Sequence, residues 1–581
     1  VTEEFKTSFA RNIFHNKYAL TQGETWKQRA LTIVDDVCGT RGGELHPLMS
    51  KEDRDYLAKI ISEFKFLPGG RYIYYAGRKA KFYNNCYLLR AEEDTREEWA
   101  ALSERAMSCL MTGGGIGIDY TRLRPSGRLL SRTGGQSSGP IPLMYTINEI
   151  GRNVMQGGSR RSAIYASLNW QHDDAEDFLK AKNWHNLHIG KAYVPGTGEP
   201  YTAWHAKQDD FNFPAPLDMT NISLNYDNAF LEEVFGEDLN PLTLAEDWQH
   251  LAEGENLPAT FVQNVRQALQ TGEPGFSFNF GDKEDETLRN ACTEVTSEDD
   301  SDVCNLGSIN IGAIESLEEF RDIVRVASKF LVCGTVRAEL PYQRVYQVRE
   351  KNRRLGLGLM GIHEWLLKRN YKYEVTEELH TWLHAYKKYS EKAANEHCDR
   401  LFLSRPVAYR AIAPTGSIGI LASTTTGIEP LFAVAYKRRY LTDGSRWKYE
   451  FVIDATADHI IKEYGLNAED IETATQLAKE PERRIKFQAD IQDYVDMSIS
   501  STINMPSWNS EDNNDDTVNS FAAVLAKYAP RLRGFTCYPD GSRGGQPITT
   551  VDYEEAIKHR GVVFEENDIC DISGKGGTCG S

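Results

Sequence analysis

The sequence predicts an α/β protein, and three observations carry that prediction. Helical stretches alternate with short apolar strands along most of the chain. The composition, 40% hydrophobic and 26% charged over 581 residues, is that of a soluble globular protein with a large core. No shift of composition divides the middle of the chain into separate domains.

The first 65 residues read as helical. Trp26–Val37 is one expected helix, and Asp53–Phe66 places Tyr56, Ile60, Ile61 and Phe64 at helical spacing. Phe66-Leu67-Pro68-Gly69-Gly70 reads as a stop and turn. Asn84 to Leu89 reads as a strand, followed by an acidic helix start at Glu92 to Thr95. Further strands are expected at Ile116–Ile118, Ala163–Ala166, Ser308–Ile311, Ile418–Leu421 and Gly534–Tyr538. Glu298–Asp302 and Trp508–Asp516 read as surface loops. The last residues, from Cys570 to Ser581, have no apolar periodicity and read as a mobile tail.

Charge narrows the function. With 66 basic and 84 acidic residues the net charge is −18, which repels polyanions and argues against a nucleic-acid polymer as partner. No apolar run reaches the roughly 18 residues of a membrane span. The start of the chain lacks the charged-then-apolar order of a secretory leader, so a cytoplasmic enzyme is expected. Ten cysteines are too sparse for a disulfide scaffold, and no CxxC or HExxH pattern suggests a metal site. Cys38, Cys109, Cys333, Cys398 and Cys537 read as small buried apolar residues.

Three glycine-rich segments stand out. Gly113-Gly114-Gly115-Ile116-Gly117 precedes a strand, the wrong order for a dinucleotide fingerprint, and reads as close packing around a tight turn. Gly157-Gly158-Ser159-Arg160-Arg161-Ser162 offers guanidinium forks and backbone N–H groups to a phosphate, or is a solvated turn. Pro414-Thr415-Gly416-Ser417 offers successive amides and hydroxyls to an anion, or is a plain loop; with no lysine in place it is not a Walker loop. Asn290, Cys292 and Glu294 alternate. If that loop is extended, an amide, a thiol and a carboxylate line one face.

Taken in order, NNCYLL (84–89), GGGIGIDYTRLRPSG (113–127), GGQSSGPIPLM (134–144), GGSRRSA (157–163), NACTE (290–294), CNLGSINI (304–311), KNRRLGLGLMG (351–361), APTGSIGILASTTTGIEP (413–430) and CYPDGSRGGQPI (537–548) resemble the catalytic subunit of ribonucleotide reductase. The resemblance implies a ten-stranded α/β barrel, two five-stranded halves set antiparallel around a central finger loop. The expected limits are a helical region at 1–65, the barrel at 66–548, and a C-terminal segment with a redox tail at 549–581. It implies that Cys292 is the thiyl residue, Glu294 the general base and Asn290 a substrate hydrogen-bonder. Cys86 and Cys304 would be the reducing pair. Cys570 and Cys579 would be a shuttle pair, at a wider spacing than the family's usual one, recharged by thioredoxin or glutaredoxin. Pro414, Thr415, Gly416 and Ser417 would hold substrate phosphates. Gly158, Ser159, Arg160, Arg161 and Ser162 would form the loop that relays a deoxynucleotide effector, with a neighbouring effector loop at Ser131–Gly139 and a homodimer expected.

No tyrosine pair stands at Thr536-Cys537-Tyr538-Pro539-Asp540 and no glycyl-radical signature at the C-terminus. By elimination the resemblance is to the adenosylcobalamin-dependent class, with no protein-bound metal and no room for an N-terminal ATP-binding cone. The alternatives are a class I large subunit that needs a separate radical-generating subunit, and a catalytically silent nucleotide-binding homologue.

Overall fold

The protein is described here from a computed structural model, which covers residues 4–154, 162–210, 212–236, 257–442, 446–542 and 548–565. Five strands form the first half of its central sheet: β1 (Cys86–Arg90), β2 (Gly115–Asp119), β3 (Ile164–Asn169), β4 (Thr220–Tyr226) and β5 (Gly275–Phe278). Each runs parallel to the next. The second half holds β6 (Asp302–Asn310), β7 (Leu355–Met360), β8 (Thr502–Met505) and β9 (Gly534–Pro539). Between β7 and β8 lies the extended segment 408–412, bridged to Leu357 through Arg410 and to Ile499 through Ile412. These neighbours too are parallel.

The halves meet antiparallel at two seams, β1 with β6 and β5 with β9, and those seams close the sheet into a barrel. Closure removes the sheet edges that would otherwise need cover. Both faces of a parallel sheet must be covered, so its strands are buried whether their side chains are apolar or polar. β2, β6 and β7 are buried at every position. Helices make the crossovers, among them Arg96–Met111 between β1 and β2 and Leu317–Arg337 between β6 and β7. The first is capped by the Thr95 side chain, which accepts from the Glu98 N–H, with Glu97 and Glu98 in its first turn.

The fold corrects four expectations. Ile418–Leu421 is helical, part of Gly416–Ala422, because Ile418, Leu421 and Ala422 bury one helical face; a four-residue apolar run cannot itself distinguish helix from strand. Phe66–Pro68 is a strand, paired antiparallel with Ile309–Gly307, and it places its proline last. The second expected helix runs Lys51–Ser62 and stops short of Phe66. The acidic stretch is a surface turn only at its start: Glu298 is exposed, but Asp300, Ser301 and Asp302 are fully buried, with Asp300 facing Arg105 and Arg344 and Asp302 bonded to Arg354. Trp508–Asp516 is a loop with short turns, as expected.

Outside the barrel, the hairpin Ala435–Thr442 and Arg446–Ile453 is flanked by Ile548–Thr550 and Val563–Glu565 in a four-stranded antiparallel sheet. Among the described residues, no helix is long and apolar enough to cross a membrane.

Candidate active site

The chain passes from the first half-barrel to the second through a finger hairpin, Leu288–Arg289 paired antiparallel with Thr296–Ser297. Leu288 and Val295 of this hairpin pack with Leu88, Cys304, Leu306, Ala408, Ala411, Ala413 and Met497 in a cluster separate from the main core. These partners come from β1, β6, residues 408–413 and the approach to β8, so the hairpin occupies the barrel's interior. The GGGIG segment makes room for it. A Cβ on Gly117 would stand 1.7 Å from the Arg289 carbonyl oxygen, so only glycine permits the finger to lie this close to β2. This is the close packing that the glycines suggested.

At its tip the finger is a turn rather than the extended run that would align Asn290, Cys292 and Glu294. The Thr293 N–H donates to the Asn290 carbonyl, and Thr293 takes φ +71°. Asn290 Oδ1 accepts from the Val295 N–H at 3.0 Å, which braces the turn from inside. The turn parts the three side chains: Cys292 is exposed, while Asn290 and Glu294 are buried.

Cys86 and Cys304 lie directly opposite each other in the antiparallel β1–β6 register. Facing residues in such a ladder have Cα atoms about 4.5–5.5 Å apart and side chains on the same face, within the range a disulfide can span. Both are reduced here. Asn290 Nδ2 donates to Cys86 Sγ at 3.2 Å, which ties the finger to the pair. A separation of 218 positions in sequence vanishes at this seam.

Burial pushes the Glu294 carboxyl up to about 7, although hydrogen bonding from Asn290 pulls it back part-way. Its Oε2 has no hydrogen-bond partner among the described residues. Burial likewise drives the Cys304 thiol well above the ordinary range, with Asp302 and Glu294 adding to the rise and Arg354 opposing it. Beneath the finger, burial would also raise Glu286, but the guanidiniums of Arg533 and Arg354 outweigh it and hold the carboxyl at about 2. Burial, and then the charge of Arg533, lowers Arg289 to about 9. Arg289 Nη2 donates to Asn279 Oδ1 at 2.7 Å and to the Arg533 carbonyl, anchoring the root of the finger.

The antiparallel halves put the N-terminal ends of β1 and β2 and the C-terminal ends of β6 and β7 at one mouth of the barrel. Residues 413–417 continue from the 408–412 segment at that mouth. Thr415, at φ +50°, accepts from the Gly427 N–H at 2.8 Å and starts the helix Gly416–Ala422. Pro414 and Gly416 are exposed, and a Cβ on Gly416 would meet nothing within 4 Å. Ser417 Oγ accepts from Lys17 Nζ at 3.0 Å, a contact 400 residues apart in sequence that no local pattern signals. Ser162 is buried and donates to the Val154 carbonyl. Gly158, Ser159, Arg160 and Arg161 lie outside the described residues, as do Cys570 and Cys579. Cys38, Cys109, Cys333, Cys398 and Cys537 are buried, as expected.

Sequence reading missed the ionic frame of Glu286, Asp302, Arg354 and Arg533, buried but for the partly exposed Glu286. The one local signal was Arg353-Arg354 set directly before the wholly apolar strand β7.

The family model for the ribonucleotide reductase barrel domain matches residues 84–394 and 405–529, about three quarters of the chain. The chain belongs to the ribonucleotide reductase family. A vitamin B12-dependent ribonucleoside-diphosphate reductase of Mycobacterium tuberculosis is 25% identical over 558 residues, spanning 87% of this chain and 75% of that one. Two solved reductases share the fold. The class Id ribonucleotide reductase alpha subunit of Actinobacillus ureae has a TM-score of 0.66 at 15% identity, over 93% of this chain and 98% of its own. A B12-dependent, class II ribonucleotide reductase has a TM-score of 0.65 at 16% identity, over 94% and 93%. Reductases of different radical classes therefore match the fold equally well.

Proposed function

We propose that this chain reduces ribonucleotides to 2′-deoxyribonucleotides for DNA precursor synthesis by a thiyl-radical mechanism. The observation that carries the reading is the Cys86–Cys304 pair at the seam, tied by Asn290 to the finger that also bears Cys292 and Glu294.

In this reading the Cys292 thiyl takes the 3′ hydrogen atom of the ribose and later returns it. Glu294, poised near 7, accepts the 3′-hydroxyl proton. Asn290 hydrogen-bonds the sugar as charge develops. Cys86 and Cys304 together supply two electrons and two protons; the 2′-hydroxyl leaves as water and the two sulfurs form a disulfide. Pro414, Thr415, Gly416 and Ser417 hold the phosphates at the mouth. Cys570 and Cys579 reopen the disulfide and are recharged by thioredoxin or glutaredoxin. The segment from Gly158 to Ser162 relays a deoxynucleotide effector across a homodimer.

Adenosylcobalamin is the proposed cofactor, after the name of the mycobacterial relative. When bound, it supplies a carbon-centred radical that removes a hydrogen atom from a thiol. The site fits such a group in one respect: Cys292 is exposed at the finger tip, whereas its four partners are buried, so the thiol that must be oxidised is the one that an outside group can touch.

The test is deoxyribonucleotide formation by the chain alone with a dithiol and adenosylcobalamin, scored with tritium exchange from the cofactor's 5′ position. Product and exchange without any second subunit are expected. Product only with a radical-generating subunit would make it a class I large subunit. Nucleotide binding with neither product nor exchange would make it a silent homologue.

A further inference from the structure

The N-terminal region does more than flank the barrel, for it brings a cation to the mouth. The helix Ser8–Ile13 is capped by the Thr7 side chain, which accepts from the Ala10 N–H at 3.0 Å. It packs against the helix Gly416–Ala422. A single π-helical turn, Phe14–Tyr18, follows it. Such turns are rare and often mark functional sites. Phe14 and Tyr18 are both buried in the main core, whereas Lys17 is exposed. The two aromatic anchors therefore fix where the lysine stem leaves the backbone.

Lys17 Nζ donates to Ser417 Oγ at 3.0 Å and stands 5.0 Å from the centroid of the Tyr18 ring. Among the described residues it forms no ion pair. A neighbouring cation is matched differently: Arg438 lies over the ring of Phe9, on the helix Ser8–Ile13, and is paired with Glu450. The contact to Ser417 uses one of the three N–H groups of the ammonium. It also occupies an acceptor position of the Ser417 hydroxyl, so the hydroxyl hydrogen points elsewhere as a donor. Beside it Gly416 is exposed, and a Cβ there would meet nothing within 4 Å. Donors next to open space suit an anion, and a chain of net charge −18 needs a local cation to hold one.

We propose that Lys17 is a phosphate-binding residue: its ammonium, held by the Ser417 hydroxyl, pairs with a phosphate of the ribonucleotide seated at the turn 414–417. This rests on the function proposed above, in which that turn holds the substrate phosphates. The lysine reads charge rather than base, so it favours phosphorylated nucleosides whatever their base. The mouth of the barrel is then completed by residues 400 positions apart in sequence.

The experiment measures binding of cytidine and CDP to the full chain by isothermal titration calorimetry, in the parent, Lys17→Met and Lys17→Arg. Hydrogen exchange over residues 14–18 is followed alongside. CDP is expected to bind the parent more tightly than cytidine does. Lys17→Met should weaken CDP by about tenfold with exchange at 14–18 unchanged, and Lys17→Arg should keep most of the affinity. Raising salt from about 0.02 M to about 0.3 M should weaken CDP more in the parent than in Lys17→Met. Unchanged CDP affinity in Lys17→Met would overturn the assignment. So would a loss that comes with faster exchange at 14–18 and is not restored in Lys17→Arg, because the lysine would then only brace the N-terminal region. CDP binding the parent no more tightly than cytidine would overturn the reading of the turn and this one with it. Tighter CDP binding that ignores Lys17 overturns this one alone.

Discussion

Among the described residues, two places bring a pair of cysteines together, and their surroundings differ. Cys38, at the end of the helix Trp26–Cys38, meets Cys333 of Leu317–Arg337, and Cys333 Sγ lies 3.5 Å from His397 Nε2. Burial pushes the Cys333 thiol up, but hydrogen bonds from Cys38 and His397 outweigh it and bring the thiol down. Cys38 moves the other way, pushed well up by burial and by Cys333 beside it. Both sulfurs are fully buried in the main core among Val37, Leu331 and Phe330. Cys86 and Cys304 belong instead to the barrel interior, where a carboxylate, an amide and an exposed thiol converge on one finger. What separates the pair proposed as catalytic from the core pair is the company and the approach; sulfurs side by side occur in both.

Substitutions can break this comparison. The largest contrast is between Cys292→Ser, expected to abolish deoxyribonucleotide formation, and Cys333→Ala, expected to leave the turnover rate intact; steady-state assays of the two decide it. Next, Glu294→Gln should lower kcat by about 10² to 10⁴-fold and remove the limb of the kcat/KM profile that rises with pH through about 7. The same substitution should stabilise the fold at alkaline pH. Between about pH 4.5 and 7 the folded chain holds a proton on Glu294 that the unfolded chain has lost. Stability therefore falls as pH rises through that window, by on the order of 3 kcal/mol. Urea titrations at pH 5 and 8 should show that decline in the parent and a smaller one in Glu294→Gln.

Gly117→Ala places a methyl group against the Arg289 carbonyl and should cost about 1–3 kcal/mol in denaturant titration, with kcat falling as the finger shifts. The smallest effect is expected at the helix pair. Cys333→Ala should cost roughly 0.5–3 kcal/mol, and in the parent, iodoacetamide should label Cys333 only under unfolding conditions.

The sequence made the site more legible than the frame that supports it. Cys86, Asn290, Cys292, Glu294 and Cys304 were singled out because the motifs that carry them resemble a known family's in its order, and the structure places Cys86 opposite Cys304 and ties it to Asn290; Gly117 was legible because close packing tolerates no side chain there. Ile418–Leu421 was misread because four apolar residues fit either period, and the helix is set by the turn at Thr415 and the burial of one face. Asp302 looked solvated because its acidic neighbours conceal a partner 52 residues away in Arg354; Glu286 is paired with Arg533 across 247 residues. Local composition reports the charge of a segment, and only the closed barrel reports what neutralises it.

The most direct test takes the chain with Cys570→Ser and Cys579→Ser, adds ribonucleotide and adenosylcobalamin without external reductant, and counts product against disulfides by peptide mapping. One deoxyribonucleotide per chain, matched by one disulfide joining Cys86 to Cys304, is the expected result. Product formed while Cys86 and Cys304 both remain thiols, or with the disulfide at another pair, would contradict it.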